Sequence, residues 1–304
     1  MILSPDIADD VEYYMNFGGI DAGNPHLEDA KFVVIPVPYD LTSTYQSGSR
    51  RGPAAILDAS GNMELYDEEL HAETYLAGIH TMDPLDVDAR GPELMAEAVR
   101  GEVAKVLSFG KVPVVLGGEH SVTIGAVQAM KERYPSLSVL QLDAHADLRD
   151  AYQNSSFSHA SVGRRIFEMC PLVQIGVRSM SVEEARFIEE NGVKILSPDF
   201  LSDDPDPVKK VCDNLSEEIY ITVDLDVLDP SVMPATGTPE PGGILWNDLI
   251  HLIRGVSEKC TIRGFDIVEL CPIPGMVAPD FTAAKLAYRI MGYINRVDPE
   301  IPRY

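Results

Sequence analysis

Aspartate and histidine side chains that could bind metal ions are grouped in three short segments of the chain. These segments are residues 117–121 (GGEHS), 143–147 (DAHAD) and 224–226 (DLD). In a D-x-H or D-x-D pair an extended backbone points both side chains the same way. Mixed carboxylate and imidazole ligands suit manganese, iron, cobalt or zinc better than calcium or magnesium. The six candidate metal ligands are His120, Asp143, His145, Asp147, Asp224 and Asp226.

The number of candidate ligands indicates two metal ions rather than one. Four converging carboxylates repel one another and are costly to desolvate unless cations neutralise them. Six ligands are too many for one catalytic ion that must keep an open position, but they fit two ions about 3.5–4 Å apart that share bridging carboxylates. A lone D-x-D or GGEH segment is more often a solvated turn or a helix cap. The prediction therefore depends on all three segments meeting at one place.

The elements that must position these segments follow from hydrophobic periodicity. Short apolar runs rich in β-branched residues alternate with longer segments of helical period. The predicted strands are 31–37, 112–116, 138–142, 172–177, 218–223 and 261–267. The predicted helices are 93–107, 122–134, 181–190, 246–256 and 281–295. Several strands are apolar on both faces, which is typical of a parallel sheet covered by helices on each side, and such sheets bind ligands at the carboxyl ends of their strands.

Length and composition indicate a single domain over residues 1–304. Hydrophobic residues make up 45% of the chain, which is enough for a large core. No repeat or low-complexity linker interrupts the alternation of strands and helices. We expect residues 1–30 to be an irregular acidic segment on the surface and residues 203–207 to be a surface turn. The predicted fold class is α/β, a three-layer α/β/α sandwich with a mainly parallel sheet.

The charge of the chain argues against two classes of partner. Lysine and arginine number 24 against 48 aspartate and glutamate residues, which gives a formal net charge of -24. This charge opposes binding to nucleic acid and to an anionic membrane surface, and it favours a small cationic ligand. The four cysteines show no C-x-x-C spacing, and the N-terminus lacks the features of a signal peptide. We therefore expect a cytoplasmic protein.

The three segments, in this order, resemble the signatures of the arginase/agmatinase (ureohydrolase) family. The resemblance covers nearly the whole chain and includes residues 47–53 (SGSRRGP), 237–243 (GTPEPGG) and 266–272 (DIVELCP). It implies an arginase/deacetylase-like fold, two Mn²⁺ ions per chain, and a homo-oligomer, a trimer or a hexamer. One ion would be bound by His120, Asp143, Asp147 and Asp224. The other would be bound by His145, Asp143, Asp224 and Asp226.

The resemblance also implies roles in hydrolysis of a guanidinium group to release urea. Two cations that share a water lower its pKa enough to supply hydroxide near neutral pH, and Asp147 would orient that hydroxide. His159 corresponds to the family's proton-shuttling histidine, although an unplaced histidine is more often structural. Glu269 would hold the guanidinium through a bidentate pair, the alternative being a structural salt bridge. Asp266, in the same strand, is expected to support the site or to form a surface pair.

Two further segments bear on which guanidinium compound is cleaved. Arginases hold the α-carboxylate of arginine after the D-x-H-x-D segment and hold the α-ammonium with two acidic residues further on. In this chain residues 148–156 lack the arginase pattern, and Ser179 and Ser181 stand in place of the two acids. The prediction is therefore an agmatinase-like ureohydrolase, a hydrolase of C–N bonds in linear amidines, that converts agmatine to putrescine and urea in polyamine biosynthesis.

Other readings stay open at this point. The substrate could be aminopropylagmatine, guanidinobutyrate or another guanidino acid, or arginine. Arg149 could bind the carboxylate of a guanidino acid or pair with Asp150 or another acid of the chain. A relative that binds metal without turnover is disfavoured by His159 and Glu269. A metal-dependent deacetylase, which usually binds one zinc with fewer ligands, is disfavoured by the second histidine of the ligand set.

Overall fold

The structure, a computed structural model, describes residues 15–20 and 23–296. The strands in this part of the chain are β1 (Phe32–Val37), β2 (Tyr66–Asp67), β3 (Ala72–Glu73), β4 (Ile79–Thr81), β5 (Val112–Gly117), β6 (Ser138–Leu142), β7 (Leu172–Ile175), β8 (Lys194–Leu196), β9 (Glu218–Asp224) and β10 (Thr261–Val268). Eight of them form one sheet in the order β4-β1-β5-β10-β9-β6-β7-β8. Every pairing in this sheet is parallel, and β2 and β3 form a separate antiparallel hairpin.

Helices connect the strands of the sheet. They are α1 (Gly52–Ser60), α2 (Pro92–Ser108), α3 (Val122–Arg133), α4 (Val162–Met169), α5 (Val182–Asn191), α6 (Phe200–Asp203), α7 (Pro207–Cys212), α8 (Trp246–Ser257) and α9 (Ala278–Arg296). Short 3₁₀ turns lie at Leu27–Asp29, Ser49–Arg51, Thr74–Ala77, His159–Ser161 and Leu225–Val227. No helix of the described residues is long and apolar enough to cross a membrane.

Both faces of the sheet are covered. All six residues of β1 are buried, and its apolar side chains alternate between two clusters. Phe32 and Val34 pack in one cluster with residues of α1, α8 and α9. Val33 and Ile35 pack in the other cluster with residues of α2, α3 and α4. Because successive side chains of a strand point to opposite faces, the sheet forms the middle layer, and the predicted α/β/α sandwich is confirmed.

The predicted elements are present, with ends that differ by a few residues. The strand expected at 172–177 ends at Ile175, because Gly176 has a φ of 98° and leaves the extended conformation. The sequence analysis did not predict the short helices α1, α4, α6 and α7, the hairpin or the edge strands β4 and β8. Each edge strand has three residues, too few to show a period.

Two predictions concern surface segments. Of the turn expected at 203–207, residues 204–206 lie between α6 and α7, and Pro205 is exposed. The prediction was too long at both ends, because Asp203 belongs to α6 and Pro207 to α7. Of the N-terminal segment 1–30, residues 1–14 and 21–22 lie outside the described residues. The described remainder contains the 3₁₀ turn at Leu27–Asp29. It does not lie wholly on the surface as expected, because Phe17 is fully buried in the core beneath the sheet.

The order of the sheet determines which loops meet. Strands β5, β10, β9 and β6 are consecutive neighbours at its centre. Parallel strands end at the same edge, so the segments that follow these four strands lie side by side. Those segments contain His120, Glu269, Asp226 and the DAHAD segment, and Asp224 is the last residue of β9. The central four strands therefore place every candidate metal ligand at one edge of the sheet.

Candidate metal centre

His120 lies among three of the candidate carboxylate ligands. Its Nδ1 is 3.1 Å from Oδ2 of Asp143, 3.3 Å from Oδ2 of Asp147 and 3.4 Å from Oδ2 of Asp224. This nitrogen is buried and has no hydrogen-bond partner among the described residues. A buried polar atom without a partner is destabilising. A metal ion bound between the imidazole and the carboxylates would satisfy it.

His145 lies among a second group of carboxylates. Its Nδ1 is 3.0 Å from Oδ2 of Asp226 and 3.8 Å from Oδ1 of Asp143. Asp143 thus turns one oxygen toward each histidine, since its Oδ2 faces His120. The two groups, His120–Asp143–Asp147 and Asp143–His145–Asp226, each bring their ligand atoms within 4.8 Å of one another. This is the arrangement that a carboxylate bridging two ions requires.

Local hydrogen bonds hold the two D-x-H and D-x-D segments in shape. The N–H of His145 donates to Oδ1 of Asp143 at 2.6 Å, and the N–H of Asp226 donates to Oδ1 of Asp224 at 3.0 Å. Asp147 has a φ of 50°, in the left-handed region that residues other than glycine rarely adopt. Such strain is retained where the surrounding structure requires one orientation of a side chain.

The electrostatics of the cluster favour cations. Burial and, next, the charge of Asp143 raise the pKa of Asp147 to about 7. Burial also raises the pKa of Asp224 well above its ordinary value, together with the charges of Asp226 and Asp143. Both shifts mean that the ionised carboxylates are destabilised by one another and by lost hydration. Four aspartates carry the charge that two divalent cations neutralise, so the residues fit a binuclear centre.

A network of buried hydrogen bonds holds the imidazole of His120 on the side away from the carboxylate ligands. Its Nε2 lies 2.9 Å from Oγ1 of Thr222, so a hydrogen on Nε2 leaves the lone pair of Nδ1 for a metal. Asp266 is fully buried, accepts a hydrogen bond from the hydroxyl of Tyr220 at 2.9 Å and interacts with Thr222. Asp266 therefore forms no surface pair.

A cavity of about 280 Å³ opens beside the candidate ligands, and Glu269 lines it. Oε1 of Glu269 accepts the N–H of His120 at 2.7 Å, and the φ of Glu269 is 66°. Burial raises the pKa of this carboxyl to about 8, with the charge of Glu119 as the next cause. A Cβ on Gly237 would lie 3.9 Å from Oε2 of Glu269, so Gly237 is a close neighbour of the carboxylate. A bound cation would stabilise the ionised form of Glu269.

His159 lines the same cavity, at the start of the 3₁₀ turn that precedes α4. Its Nδ1 lies 3.2 Å from Oγ1 of Thr42, which also accepts the backbone N–H of His159 at 3.1 Å. The ring of Tyr152 meets the imidazole edge-on, with centroids 5.8 Å apart. Burial, together with the charges of His120 and His145, lowers the pKa of His159 to about 4. His159 is therefore neutral at neutral pH and able to accept a proton.

The mouth of the cavity contains the residues that were expected to select the substrate. Ser181 is the N-cap of α5, and its side chain and that of Glu184 form a capping box. Glu184 also accepts the N–H of Leu148 at 2.9 Å and lies 3.8 Å from Nε of Arg149. The guanidinium of Arg149 lies 4.9 Å from the ring centroid of Tyr152. Arg149 thus has an acidic partner within the chain, as one of its two interpretations anticipated.

Several residues at the site were not singled out from the sequence. Thr42 and Thr222 lie outside the recognised segments, and threonine carries no signal that would have found them. Glu119 belongs to GGEHS, and its burial inside that segment could have suggested a role. Glu240, in 237–243, has Oε1 3.8 Å from Nε2 of His145.

Known proteins that are similar to this chain belong to the family that the sequence analysis indicated. Residues 30–292 match the model of the arginase family. The chain is 40% identical over 277 residues to the N(1)-aminopropylagmatine ureohydrolase of Thermus thermophilus, covering 91% of this chain and 93% of the relative. It is 37% identical over 273 residues to the protein of the same name from Synechocystis sp., covering 87% of this chain and 89% of the relative.

A solved structure gives the same result. The agmatine ureohydrolase of Thermoplasma volcanium matches with a TM-score of 0.85 and 31% identity, covering 94% of this chain and 96% of that chain. The resemblance predicted from the sequence is confirmed. The chain belongs to the arginase family and is a ureohydrolase, a hydrolase of guanidino C–N bonds.

Proposed function

We propose that the substrate is a linear guanidine with a cationic tail, N1-aminopropylagmatine in the first place and agmatine in the second. Hydrolysis would release urea and leave spermidine from the first compound or putrescine from the second. The sequence of the chain favoured agmatine. The names of the Thermus thermophilus and Synechocystis relatives support the longer compound, and the name of the Thermoplasma volcanium structure supports agmatine.

The observation that carries the proposal is the position of Glu269 in the cavity beside the candidate metal ligands. A buried carboxylate can pair with a planar guanidinium through two hydrogen bonds. The other residues that line the cavity favour a substrate tail without a carboxylate. Arg149 lies near Glu184, whose negative charge weakens the attraction of Arg149 for an anionic substrate tail. Ser179 and Ser181 offer no anionic partner for the α-ammonium of arginine.

We further propose that the cofactor is two Mn²⁺ ions per chain. His120, Asp143, Asp147 and Asp224 would hold one ion. His145, Asp143, Asp224 and Asp226 would hold the other. When bound, the two ions lower the pKa of a shared water and polarise the scissile group. The mixed oxygen and nitrogen ligand set supports manganese over calcium or magnesium.

The remaining roles belong to residues of the chain. Glu269 would bind the guanidinium and orient its carbon toward the metal ligands. Asp147 would accept a hydrogen bond from the nucleophile and orient it. His159 would carry a proton to the leaving amine, which suits a neutral imidazole that can accept a proton and pass it on.

We also propose a cytoplasmic protein that is a single domain over residues 1–304 and assembles as a homo-oligomer, a trimer or a hexamer. The family match over residues 30–292 supports a single domain. Exposed apolar side chains support assembly, since they cluster just before and within the first turn of α9, at Ile273, Met276, Val277 and Phe281. Light scattering of the purified protein would measure the size of the assembly.

The experiment that tests the substrate is urea release by the manganese-loaded protein. N1-aminopropylagmatine, agmatine, guanidinobutyrate and arginine are compared under the same conditions. We expect the highest kcat/KM with N1-aminopropylagmatine and the next highest with agmatine. A preference for guanidinobutyrate would contradict the proposal and would indicate that Arg149 binds a carboxylate. A preference for arginine would contradict the interpretation of Ser179 and Ser181.

A further inference from the structure

We propose that Thr42 and Glu119 are positioning residues that hold His159 in one tautomer, with hydrogen on Nδ1 and the lone pair on Nε2. In this state Nε2 is the nitrogen that takes up and releases the proton during hydrolysis. The inference rests on the proposed function, because it explains how His159 is prepared for proton transfer. Neither Thr42 nor Glu119 would contact the substrate.

Glu119 is an acceptor with both oxygens occupied. It is fully buried. Its Oε2 accepts the backbone N–H groups of Thr42 at 2.6 Å and Ser43 at 2.9 Å. Its Oε1 lies 2.5 Å from the hydroxyl of Thr42 and 2.5 Å from the hydroxyl of Ser121. All four of these neighbouring groups carry a hydrogen that they can donate, and both N–H groups can only donate. The carboxylate is therefore the acceptor of this cluster, and both hydroxyls donate to it.

This arrangement determines the direction of the next hydrogen bond. The Thr42 hydroxyl has one hydrogen, and that hydrogen points to Glu119. Oγ1 of Thr42 can therefore act only as an acceptor toward His159. It accepts the backbone N–H of His159 at 3.1 Å and faces Nδ1 at 3.2 Å. Nδ1 must then carry a hydrogen, since two lone pairs facing each other would be repulsive.

The chemical consequence concerns the other nitrogen of the ring. With hydrogen on Nδ1, the neutral imidazole has its lone pair on Nε2, on the far side of the ring from Thr42. Nε2 can accept a proton to form an imidazolium and then release that proton to the nitrogen of the leaving amine. The bond from Nδ1 to Thr42 persists in both states, so the ring need not turn between them. In the opposite tautomer Nε2 would carry the hydrogen, and the only basic lone pair of the ring would be on Nδ1, facing Thr42.

Thr42 could instead have a purely structural role. It precedes Ser43, Tyr45 and Gln46, which line the cavity, and its bonds to Glu119 also hold this loop. A structural role would affect substrate binding whether or not His159 is present. A positioning role would affect the rate only through His159. This difference determines the design of the test.

The test uses two variants of one residue in the manganese-loaded enzyme. Thr42→Val keeps the shape of the side chain and removes the hydroxyl, whereas Thr42→Ser keeps the hydroxyl. We expect Thr42→Val to lower kcat by about 10- to 100-fold while KM changes by less than about threefold, since general acid–base catalysis contributes about 10²–10⁴. Thr42→Ser should stay within about fivefold of the wild-type kcat. Metal content should stay at two ions per chain in both variants.

A double-mutant cycle separates the two roles. In the His159→Ala background, Thr42→Val should have almost no further effect on kcat, because its effect passes through the imidazole. An equal loss in both backgrounds would overturn the proposal and indicate a structural role. An unchanged kcat in Thr42→Val itself would also overturn it.

A measurement without turnover keeps this inference separate from the proposed function. Solution NMR of ¹⁵N-histidine-labelled wild-type protein, loaded with the diamagnetic ion Zn²⁺, reports which nitrogen of His159 carries the hydrogen. The assignment comes from the signal that is lost in His159→Ala. Hydrogen on Nδ1 would support the proposal even if none of the four guanidines were cleaved. Hydrogen on Nε2 would overturn it even if urea were released.

Discussion

Asp143 shows how single residues decide the properties of the metal centre. Its two oxygens face different histidines, so one carboxylate belongs to both groups of ligands. Buried carboxylates at such distances are stable only when cations balance them, and removing one ligand changes that balance. The same reasoning does not apply to His159, whose side chain contacts Thr42 and Tyr152 rather than a candidate ligand. Replacement of a metal ligand should therefore lower both metal content and activity, whereas replacement of the proton-transfer residue should lower activity alone.

The residue-scale prediction compares Asp226→Asn with His159→Ala. We expect Asp226→Asn to lose at least one of two manganese ions and to lower kcat by more than about 100-fold, because hydrolysis needs both ions. His159→Ala should keep two ions and lower kcat by about 10²–10⁴. Metal analysis after desalting and urea release measure the two effects. Two tightly bound ions in Asp226→Asn would remove Asp226 from the ligand set.

At the scale of elements, the ends of three strands meet at Gly118. The N–H of Gly118 donates to the carbonyl of Val37, the last residue of β1, at 2.8 Å. The N–H of Glu269, after β10, donates to the carbonyl of Gly118 at 2.8 Å. A Cβ on Gly118 would lie 2.0 Å from the carbonyl oxygen of Tyr39. The backbones approach so closely that only glycine fits, and this contact determines the position of His120.

The element-scale prediction is that Gly118→Ala moves the 117–121 loop. We expect a loss of about 1–3 kcal/mol in the free energy of unfolding, as for other overpacked sites, and weaker manganese binding. Gly101→Ala in α2 is the control, because its Cβ would meet nothing within 4 Å among the described residues. That change should stabilise the protein by about 0.5–1 kcal/mol. Urea unfolding and metal titration measure both variants, and equal effects would contradict the role of Gly118.

At the scale of the whole molecule, the candidate metal centre connects parts of the chain that are far apart in sequence. Its ligands follow β5, β6 and β9, and the chain carries a net charge of -24. Bound cations would reduce the repulsion within the cluster and join the three strand ends. Metal binding to the folded state should therefore contribute to the stability of the whole domain.

The whole-molecule prediction concerns removal of metal. Binding to the folded state alone stabilises a protein by about 2.7 kcal/mol per site when free ligand is 100 times the Kd. We expect EDTA to lower the Tm by at least about 5 °C, since two sites together contribute about 5 kcal/mol and 1 kcal/mol corresponds to about 1.5 °C in a chain of 304 residues. Scanning calorimetry with manganese and with EDTA measures the shift. His120→Ala should show a much smaller shift, and an equal Tm of the wild type in both buffers would contradict the prediction.

Most of the fold could be predicted from the sequence, because the central elements are long and regular. The run at 138–142 has the same bounds as β6, and the helix at 246–256 differs from α8 by one residue. Edge strands and the short helices α1, α4, α6 and α7 were not predicted. Three-residue strands such as β4 show no period, and they form because β1 offers a row of backbone groups to pair with.

The sequence by itself determined the family and the six candidate ligands, because each D-x-H or D-x-D pair owes its shape to neighbouring residues. Only the tertiary structure decided that Asp143 faces both histidines, that Ser181 caps α5 and that Arg149 lies beside Glu184. Thr42 contacts His159 across 117 positions of the chain, and Glu269 contacts His120 across 149. Local periodicity carries no information about such pairs, since they are brought together by the order of the strands and by the packing of their loops.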